Sequence, residues 1–198
     1  MTHEPSRQIH LDFHTSELIP GIGADFSKAQ FQEALKTGHV NLINVFAKGH
    51  HGWSYYPTKI GIPHPNLQID LLGQQIEACH EIGVAAPIYF TMGWSANDAE
   101  THPEWCVRTE SGEIAATSWD ADARPDTPKP GYQWKHLCPS GEYHELIRSQ
   151  TDEICRTYPV DGLWYDIYQA HVYCYCERCR EGMKKAGLDA AIPKDAAW

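Results

Sequence analysis

The stretch from Asp70 to Phe90, DLLGQQIEACHEIGVAAPIYF, decides the fold. Its first half places Leu72, Ile76 and Cys79 at positions i, i+4 and i+7, so these three side chains share one face of a predicted helix. After a turn of one glycine, the run Val84–Phe90 predicts a strand. A helix followed this closely by a strand is typical of a sheet whose strands alternate with helices.

The same alternation recurs along the whole chain. Strands are predicted at Gln8–Phe13, Val40–Phe46, Val84–Phe90 and Val160–Asp166, and helices at Ser27–Thr37, Asp70–Ile82, Tyr143–Thr157 and from Glu177 onward. This order implies a parallel sheet built from βαβ units. The strand-to-helix loops are long, above all the one from Met92 to Leu137. A βα-barrel and an open doubly wound sheet both bind ligands at the carboxyl ends of their strands, but no G-x-G-x-x-G motif supports a nucleotide site.

Composition excludes several classes of function. The chain has 198 residues and a formal net charge of −10, and it has no basic stripe that would bind nucleic acid. It has no apolar run near the roughly 20 residues of a membrane helix, and its first residues form no apolar signal core. We therefore expect a soluble, cytoplasmic protein with reduced thiols, and neither a nucleic acid nor a membrane as its partner.

Polar side chains alternate with apolar ones in the first predicted strand. His10, Asp12 and His14 share one face of that strand, and we interpret His10 as part of a buried polar layer. Asp12 and His14 lie nearer the strand end and are candidates for ligand contact. As an alternative, the three residues could bind a catalytic divalent ion, as in a metal-dependent barrel hydrolase.

Two further strand ends carry candidate site residues. After the second strand, His50, His51 and Trp53 suit a sugar site, because imidazoles bond hydroxyl groups and an aromatic face packs on the apolar face of a sugar ring. Asp166 closes the aromatic fourth strand, where a carboxylate is costly to bury without a partner. A helix cap or a structural ion pair would also explain Asp166, but its position at a strand end favours catalysis.

Three cysteines form a C-x-C-x-x-C cluster at Cys174, Cys176 and Cys179. Thiolates at this spacing can share one tetrahedral zinc ion, and Cys138 is the expected fourth ligand with His171 in reserve. A site closed by four sulfurs would be structural, because a catalytic zinc keeps one position open.

The segment from Ala47 to Trp53 resembles the Lys-His-His-Asp-Gly-Phe stretch of family 29 α-L-fucosidases, and Asp161–Asp166 resembles the strand that ends in their nucleophilic aspartate. The resemblance implies that Asp166 is the nucleophile and that His50 and His51 contact the sugar. The chain differs from that family at three positions, Gly49, Gly52 and Ile167.

A second likeness covers other parts of the chain. His102–Glu104, Leu137–Ser140 and the three clustered cysteines resemble the N-terminal half of family 42 β-galactosidases. This resemblance implies a structural zinc on Cys138, Cys174, Cys176 and Cys179. That family carries an Asn-Glu acid/base pair where this chain has Tyr165-Asp166, so its mechanism does not transfer. From about Gln8 to Leu188 the chain is similar to hypothetical glycosyl hydrolases.

These observations lead to one set of expectations. The fold is α/β, and residues 1–198 form the N-terminal part, about four β/α units, of a TIM (β/α)8-type barrel that is truncated within or after the fourth helix. The rest of the barrel would come from a longer chain or from another copy in a homo-oligomer. The function is a retaining glycosidase with a carbohydrate substrate, structural Zn²⁺ and no organic cofactor. Asp166 is catalytic, and the substrate contacts are Asp12, His14, His50, His51 and Trp53, with Trp94 and His136 from the long loop.

A retaining enzyme needs a second carboxylic acid, and none stands out among Glu104, Glu110 and Glu113. The first alternative function is therefore a non-catalytic sugar-binding or assembly module built on a partial barrel.

Overall fold

A computed structural model describes residues 7–117, 134–168 and 173–188 of the chain. Within these ranges the strands are β1 (Gln8–His10), β2 (Leu42–Lys48), β3 (Ile88–Thr91) and β4 (Leu163–Asp166). The helices are α1 (Lys28–Thr37), α2 (Leu71–Glu81), α3 (Ala96–Thr101), α4 (Glu142–Thr157) and α5 (Glu177–Lys185), with a short 3-10 helix at Pro103–Trp105. The chain divides into two compact units. The first draws on Met1–Thr91 and Leu146–Asp166, and the second on Met92–Glu145 and Ile167–Trp198.

The first unit contains one sheet in which all neighbouring strands are parallel. Its strand order is β1-β2-β3-β4, so each strand pairs with the next one along the chain. The predicted α/β class and parallel sheet are confirmed. Sequential parallel strands in this order are what one half of a β/α barrel contains.

Local sequence signals set the helix starts. Ser27 caps α1 by accepting the Gln30 N–H through its hydroxyl, and the Phe26 and Phe31 rings pack across this end with centroids 5.6 Å apart. Asp70 caps α2 by accepting the Gly73 N–H at 2.9 Å.

The core of the first unit is aromatic. Phe46 of β2 stacks on Tyr89 of β3 with ring centroids 3.9 Å apart, and both side chains are completely buried. Tyr55, Leu71 and Ile22 complete this cluster. Burying each of these large side chains contributes about 1.5–3 kcal/mol, so the cluster holds the loops after β1 and β2 against the sheet.

All four strands differ from their predicted bounds, and β2 is shifted by two residues, to Leu42–Lys48 rather than Val40–Phe46. β1 ends at His10 rather than Phe13, and the backbone beyond Phe13 bonds a side chain instead of a neighbouring strand. The Thr15 N–H donates to the Tyr55 hydroxyl at 3.0 Å. Asp12 and His14 therefore lie in a loop. β3 begins at Ile88 rather than Val84, since Pro87 has no N–H to donate to a neighbouring strand.

The start of β4 is also later than predicted, at Leu163 rather than Val160. Asp161 is used differently, because its carboxylate accepts the Ala86 N–H and a bond from His80, both at 2.7 Å. The fourth strand therefore pairs with β3 only from Leu163 to Asp166.

The second unit contains structure within the predicted long loop. α3 and the 3-10 helix lie there, and isolated antiparallel bridges join Cys106 to Leu137 and Trp94 to His136. Its described core consists of Val107, Ala115, Cys138 and Cys179. Among the helices of the described ranges, none combines the length and apolar character needed to cross a membrane.

Candidate active site

Asp166 is the last residue of β4 and lies in register with Thr91 at the end of β3. The Tyr89 hydroxyl donates to Asp166 Oδ2 at 2.6 Å. Burial and this carboxylate raise the pKa of Tyr89, so the phenol remains a neutral donor. The Asp166 side chain is 37% exposed, which leaves the carboxylate accessible to a ligand while one oxygen is held in place.

His50 follows β2 and lies beside the same carboxylate. Its Nδ1 is 2.9 Å from the Thr91 hydroxyl, and its Nε2 is 4.0 Å from Asp166 Oδ2. Burial and the neighbouring His14 lower the pKa of His50 to about 4. The imidazole is therefore neutral near pH 7. It can donate one hydrogen bond and accept another from hydroxyl groups, rather than form a charged pair with Asp166.

The His14 ring stacks on the His50 ring, with centroids 3.7 Å apart and planes 9° apart. The backbone N–H of His50 donates to His14 Nδ1 at 3.0 Å. Because Nδ1 accepts this bond, Nε2 carries the ring proton and donates to Asp12 Oδ1 at 2.8 Å. Gly49 makes this approach possible, since a Cβ there would lie 3.0 Å from His14 Nδ1.

His51 and Trp53 lie farther along the same loop. His51 is buried, and burial lowers its pKa although the charge of Glu17 opposes the shift. Trp53 Nε1 donates to Glu17 Oε2 at 3.3 Å. The first unit thus brings Asp166, His50, His14 and Asp12 into one connected group. Trp53 is hydrogen-bonded to Glu17, and the charge of Glu17 acts on His51.

His10 is exposed rather than part of a buried polar layer. Its ring contacts those of Phe46, Tyr89 and Trp164 at centroid distances of 5.4–5.7 Å. In the described part of the chain, His10, Asp12 and His14 do not form a group that could share a metal ion. The geometry therefore gives the metallohydrolase interpretation no support.

Trp94 and His136 lie in the second unit and contact each other. Trp94 Nε1 donates to His136 Nδ1 at 3.2 Å, and the Trp94 ring stacks in parallel on Trp134. Glu104 belongs to this unit as well and forms an ion pair with His102 at 3.0 Å. Glu110 and Glu113 are exposed residues of the same unit.

Tyr89 and Thr91 are the site residues that the sequence analysis misses. Both belong to an apolar run, in which a tyrosine is indistinguishable from a core residue. The usable signal is their alternation with Ile88 and Phe90 at the carboxyl end of a strand, which places their polar atoms on the face that carries Asp166.

The four predicted cysteine ligands lie together in the second unit. The sulfur atoms of Cys138, Cys174, Cys176 and Cys179 all lie within 4.8 Å of one another. Cys138 Sγ is 3.5 Å from Cys179 Sγ and 4.0 Å from Cys176 Sγ. A tetrahedral zinc with bonds of about 2.3 Å separates its sulfurs by about 3.8 Å, so the cluster has the right dimensions for a metal ion.

Within the cluster, the surroundings of Cys138 favour its thiolate, whereas the hydrogen bond to Cys138 raises the pKa of Cys179. Hydrogen bonds from Cys174 and Cys179 lower the pKa of Cys138, although burial opposes that shift. The deprotonated form is the one that binds metals. His171, the reserve ligand, lies outside the described residues.

The profile of the family described as hypothetical glycosyl hydrolase 6 matches residues 27–167. The chain belongs to this family. The matched region runs from the cap of α1 to the residue after Asp166, so it includes β2, β3 and β4. No curated protein matches the chain.

Solved structures with the same fold include α-L-fucosidases. The chain is 43% identical to α-L-fucosidase isoenzyme 2 from Paenibacillus thiaminolyticus, with a TM-score of 0.82 over 97% of this chain and 28% of that one. Isoenzyme 1 from the same organism is 15% identical, with a TM-score of 0.53 over 88% of this chain and 38% of that one. A GH29 α-L-fucosidase from Bacteroides thetaiotaomicron is 15% identical, with a TM-score of 0.51 over 81% of this chain and 38% of that one.

The chain spans only 28% of the length of the isoenzyme 2 structure. The two structures at 15% identity show the shared fold alone. The four-stranded parallel sheet is consistent with part of a β/α barrel.

Proposed function

We propose that the protein carrying this chain is a retaining glycoside hydrolase whose nucleophile is Asp166. The observation that carries the proposal is the accessible Asp166 carboxylate at the end of β4. The Tyr89 hydroxyl orients it, and a neutral histidine lies 4.0 Å away. A carboxylate at the carboxyl end of a barrel strand stands where barrel enzymes carry their catalytic groups.

In this mechanism Asp166 attacks the anomeric carbon and forms a covalent glycosyl-enzyme, while a second carboxylic acid protonates the leaving oxygen. Water then cleaves the new bond, and the second residue takes up its proton. Tyr89 positions the nucleophile through its hydrogen bond to Oδ2. Neutral His50 contributes hydrogen bonds to the sugar without placing a positive charge beside the carboxylate.

The substrate that we propose is an α-L-fucoside, with a β-galactoside as the alternative. Support for fucose is the 43% identity to a protein named an α-L-fucosidase. Asp12, His14, His50, His51 and Trp53 would bind the sugar.

A further proposal concerns the source of the second carboxylate. We propose that residues 1–198 are the N-terminal part of a (β/α)8 barrel and that the remaining strands supply the acid/base residue. A full barrel typically takes about 250 residues. A second copy of the chain is the other possible source of those strands.

The test uses the full-length protein with Asp166→Asn and Asp166→Gly variants. Asp166→Asn should lower the rate of hydrolysis of 4-nitrophenyl α-L-fucoside at least about 10³-fold, because the amide is a poor nucleophile. Azide should restore turnover of Asp166→Gly by entering the space of the missing carboxylate. Asp152→Asn, on the exposed side of α4, is the matched control.

Unchanged hydrolysis by Asp166→Asn would refute the assignment. Sugar binding without turnover by the wild-type full-length protein would favour the non-catalytic module. The anomeric configuration of the first product, measured by NMR, separates retention from inversion.

We also propose that Cys138, Cys174, Cys176 and Cys179 hold a structural zinc ion. Three of them lie at or near the start of α5, so a bound ion would fix this helix to Cys138 and to the core of the second unit. Metal analysis should find one zinc per chain, and chelation or Cys174→Ser should lower the melting temperature. The exposed Cys155→Ser is the control. Purified protein without zinc, together with an unchanged melting temperature for Cys174→Ser, would contradict the proposal.

A further inference from the structure

The loop between β1 and α1 carries a carboxylate that the sequence analysis does not single out. Glu17 accepts the indole N–H of Trp53 through Oε2 at 3.3 Å. Its charge also acts on His51, the neighbour of His50 in the candidate site. Glu17 therefore joins two of the predicted sugar contacts although it lies more than 30 residues away from them in the chain.

The backbone on both sides of Glu17 is fixed. His64 Nδ1 accepts the Asn66 N–H at 3.1 Å, so its Nε2 carries the proton and donates to the Ser16 carbonyl at 2.9 Å. The Asn66 amide donates to the carbonyls of Glu17 at 2.8 Å and Ile19 at 2.9 Å. A surface glutamate on a mobile loop has no such support, and pre-organisation of this kind is what a binding residue requires.

The position of the carboxylate relative to the indole has a chemical consequence. An indole N–H lies in the plane of the ring, so Glu17 Oε2 lies at the edge of Trp53 rather than over its face. A pyranose stacked on the face of Trp53 would direct its equatorial hydroxyl groups outward past that edge. Within the described residues Glu17 Oε1 accepts no hydrogen bond, so its lone pairs are available to such a hydroxyl.

We propose that Glu17 is a substrate-binding residue that accepts a hydrogen bond from a hydroxyl group of a pyranose stacked on Trp53. It would thereby help to determine which sugar the protein takes. The sugar ligand in this inference rests on the proposed function, but the contact itself requires binding and not hydrolysis.

The experiment measures sugar binding by titration calorimetry in the full-length protein. The Asp166→Asn background prevents turnover, and the probes are L-fucose, D-galactose and their singly deoxygenated derivatives. Glu17→Ala should weaken binding of the preferred sugar by about tenfold or more, because it removes a hydrogen bond to a charged acceptor. Glu17→Gln should weaken it less, and Glu33→Ala, on the exposed surface of α1, should leave it unchanged.

The deoxy sugars separate contact from a structural role. One deoxy derivative should bind the Glu17→Ala variant as weakly as the parent sugar does, because both lack the same hydrogen bond. An equal loss for the parent and for every deoxy derivative would overturn the inference, and so would unchanged binding.

The two proposals can fail separately. If the wild-type protein hydrolyses a glycoside but Glu17→Ala binds the sugars as Glu33→Ala does, the inference alone fails. If the wild-type protein neither hydrolyses nor binds any sugar, the proposed function fails and the inference fails with it.

Discussion

The backbone of Gly93 lies close to Ile167, the residue that follows the candidate nucleophile. A Cβ at Gly93 would lie 2.0 Å from the carbonyl oxygen of Ile167 and 2.7 Å from its Cγ2. Ile167 itself has φ of 54°, a left-handed conformation that a β-branched residue rarely adopts. We therefore predict that Gly93→Ala destabilises the protein more than an ordinary glycine substitution does.

The magnitude follows from the distance and from the kind of atom contacted. The obstructing atom belongs to the backbone, so the Ile167 peptide must move by about 1 Å before the contact becomes tolerable. Ile167 already carries about 1–2 kcal/mol of left-handed strain. Overpacking typically costs about 1–3 kcal/mol of stability. Because the obstructing atom belongs to the backbone, we expect Gly93→Ala to cost about 3 kcal/mol. For a chain of this size that corresponds to a melting temperature lower by about 6–12 °C.

The assay is thermal unfolding followed by circular dichroism, with Gly182→Ala as the matched control. Gly182 lies inside α5, and a Cβ there meets no atom within 4 Å. The same chemical change at Gly182 should therefore raise stability, by about 0.5–1 kcal/mol. A melting temperature of Gly93→Ala within about 1 °C of the wild-type value would refute the reasoning.

Three further predictions concern buried and paired groups. His50 is neutral in the fold with a pKa of about 4, below its usual 6.5, so the unfolding free energy should fall as the pH drops from 6.5 towards 4. In urea titrations, His50→Gln should reduce the fall in unfolding free energy between pH 6.5 and pH 4 by up to about 3 kcal/mol. The control variant His144→Gln, at an exposed position, should leave that fall unchanged. Glu153→Gln should cost about 2 kcal/mol in urea unfolding, because the carboxylate accepts bonds from Tyr56, Thr58 and the Lys59 N–H, and no loss would contradict this. Burial raises the pKa of Asp161, but the hydrogen bonds from the Ala86 N–H and from His80 outweigh burial and lower that pKa overall. Asp161→Asn should therefore cost about 1 kcal/mol at neutral pH, and the difference should vanish as acid protonates the wild-type carboxylate. A difference that persists in acid would exclude this explanation.

Local patterns in the sequence determine the elements and their order. The spacing of Leu72, Ile76 and Cys79 predicts α2, and the caps Ser27 and Asp70 mark where two helices begin. These signals work because helix periodicity and capping depend on residues within one or two turns of each other. The spacing of the clustered cysteines is another local signal, and the fold adds Cys138 to them.

The strand bounds show where local patterns fail. The alternation through Phe13 predicts a β1 that is longer than the observed Gln8–His10, and two residues beyond Phe13 the Thr15 N–H bonds the hydroxyl of Tyr55, forty residues away. Whether a backbone N–H bonds a side chain or a neighbouring strand depends on which acceptor the tertiary fold places beside it. Residue periodicity does not encode that placement.

The sequence by itself thus determined an acidic α/β chain with parallel strands, candidate residues at the strand ends and a thiol cluster suited to a metal. Only the tertiary structure decided that Tyr89 holds Asp166, that His14 stacks on His50, and that Glu17 meets Trp53. Each of these contacts joins residues separated by 36 to 77 positions in the chain. Sheet register and loop packing bring such residues together, and both depend on how the whole core fits rather than on any one segment.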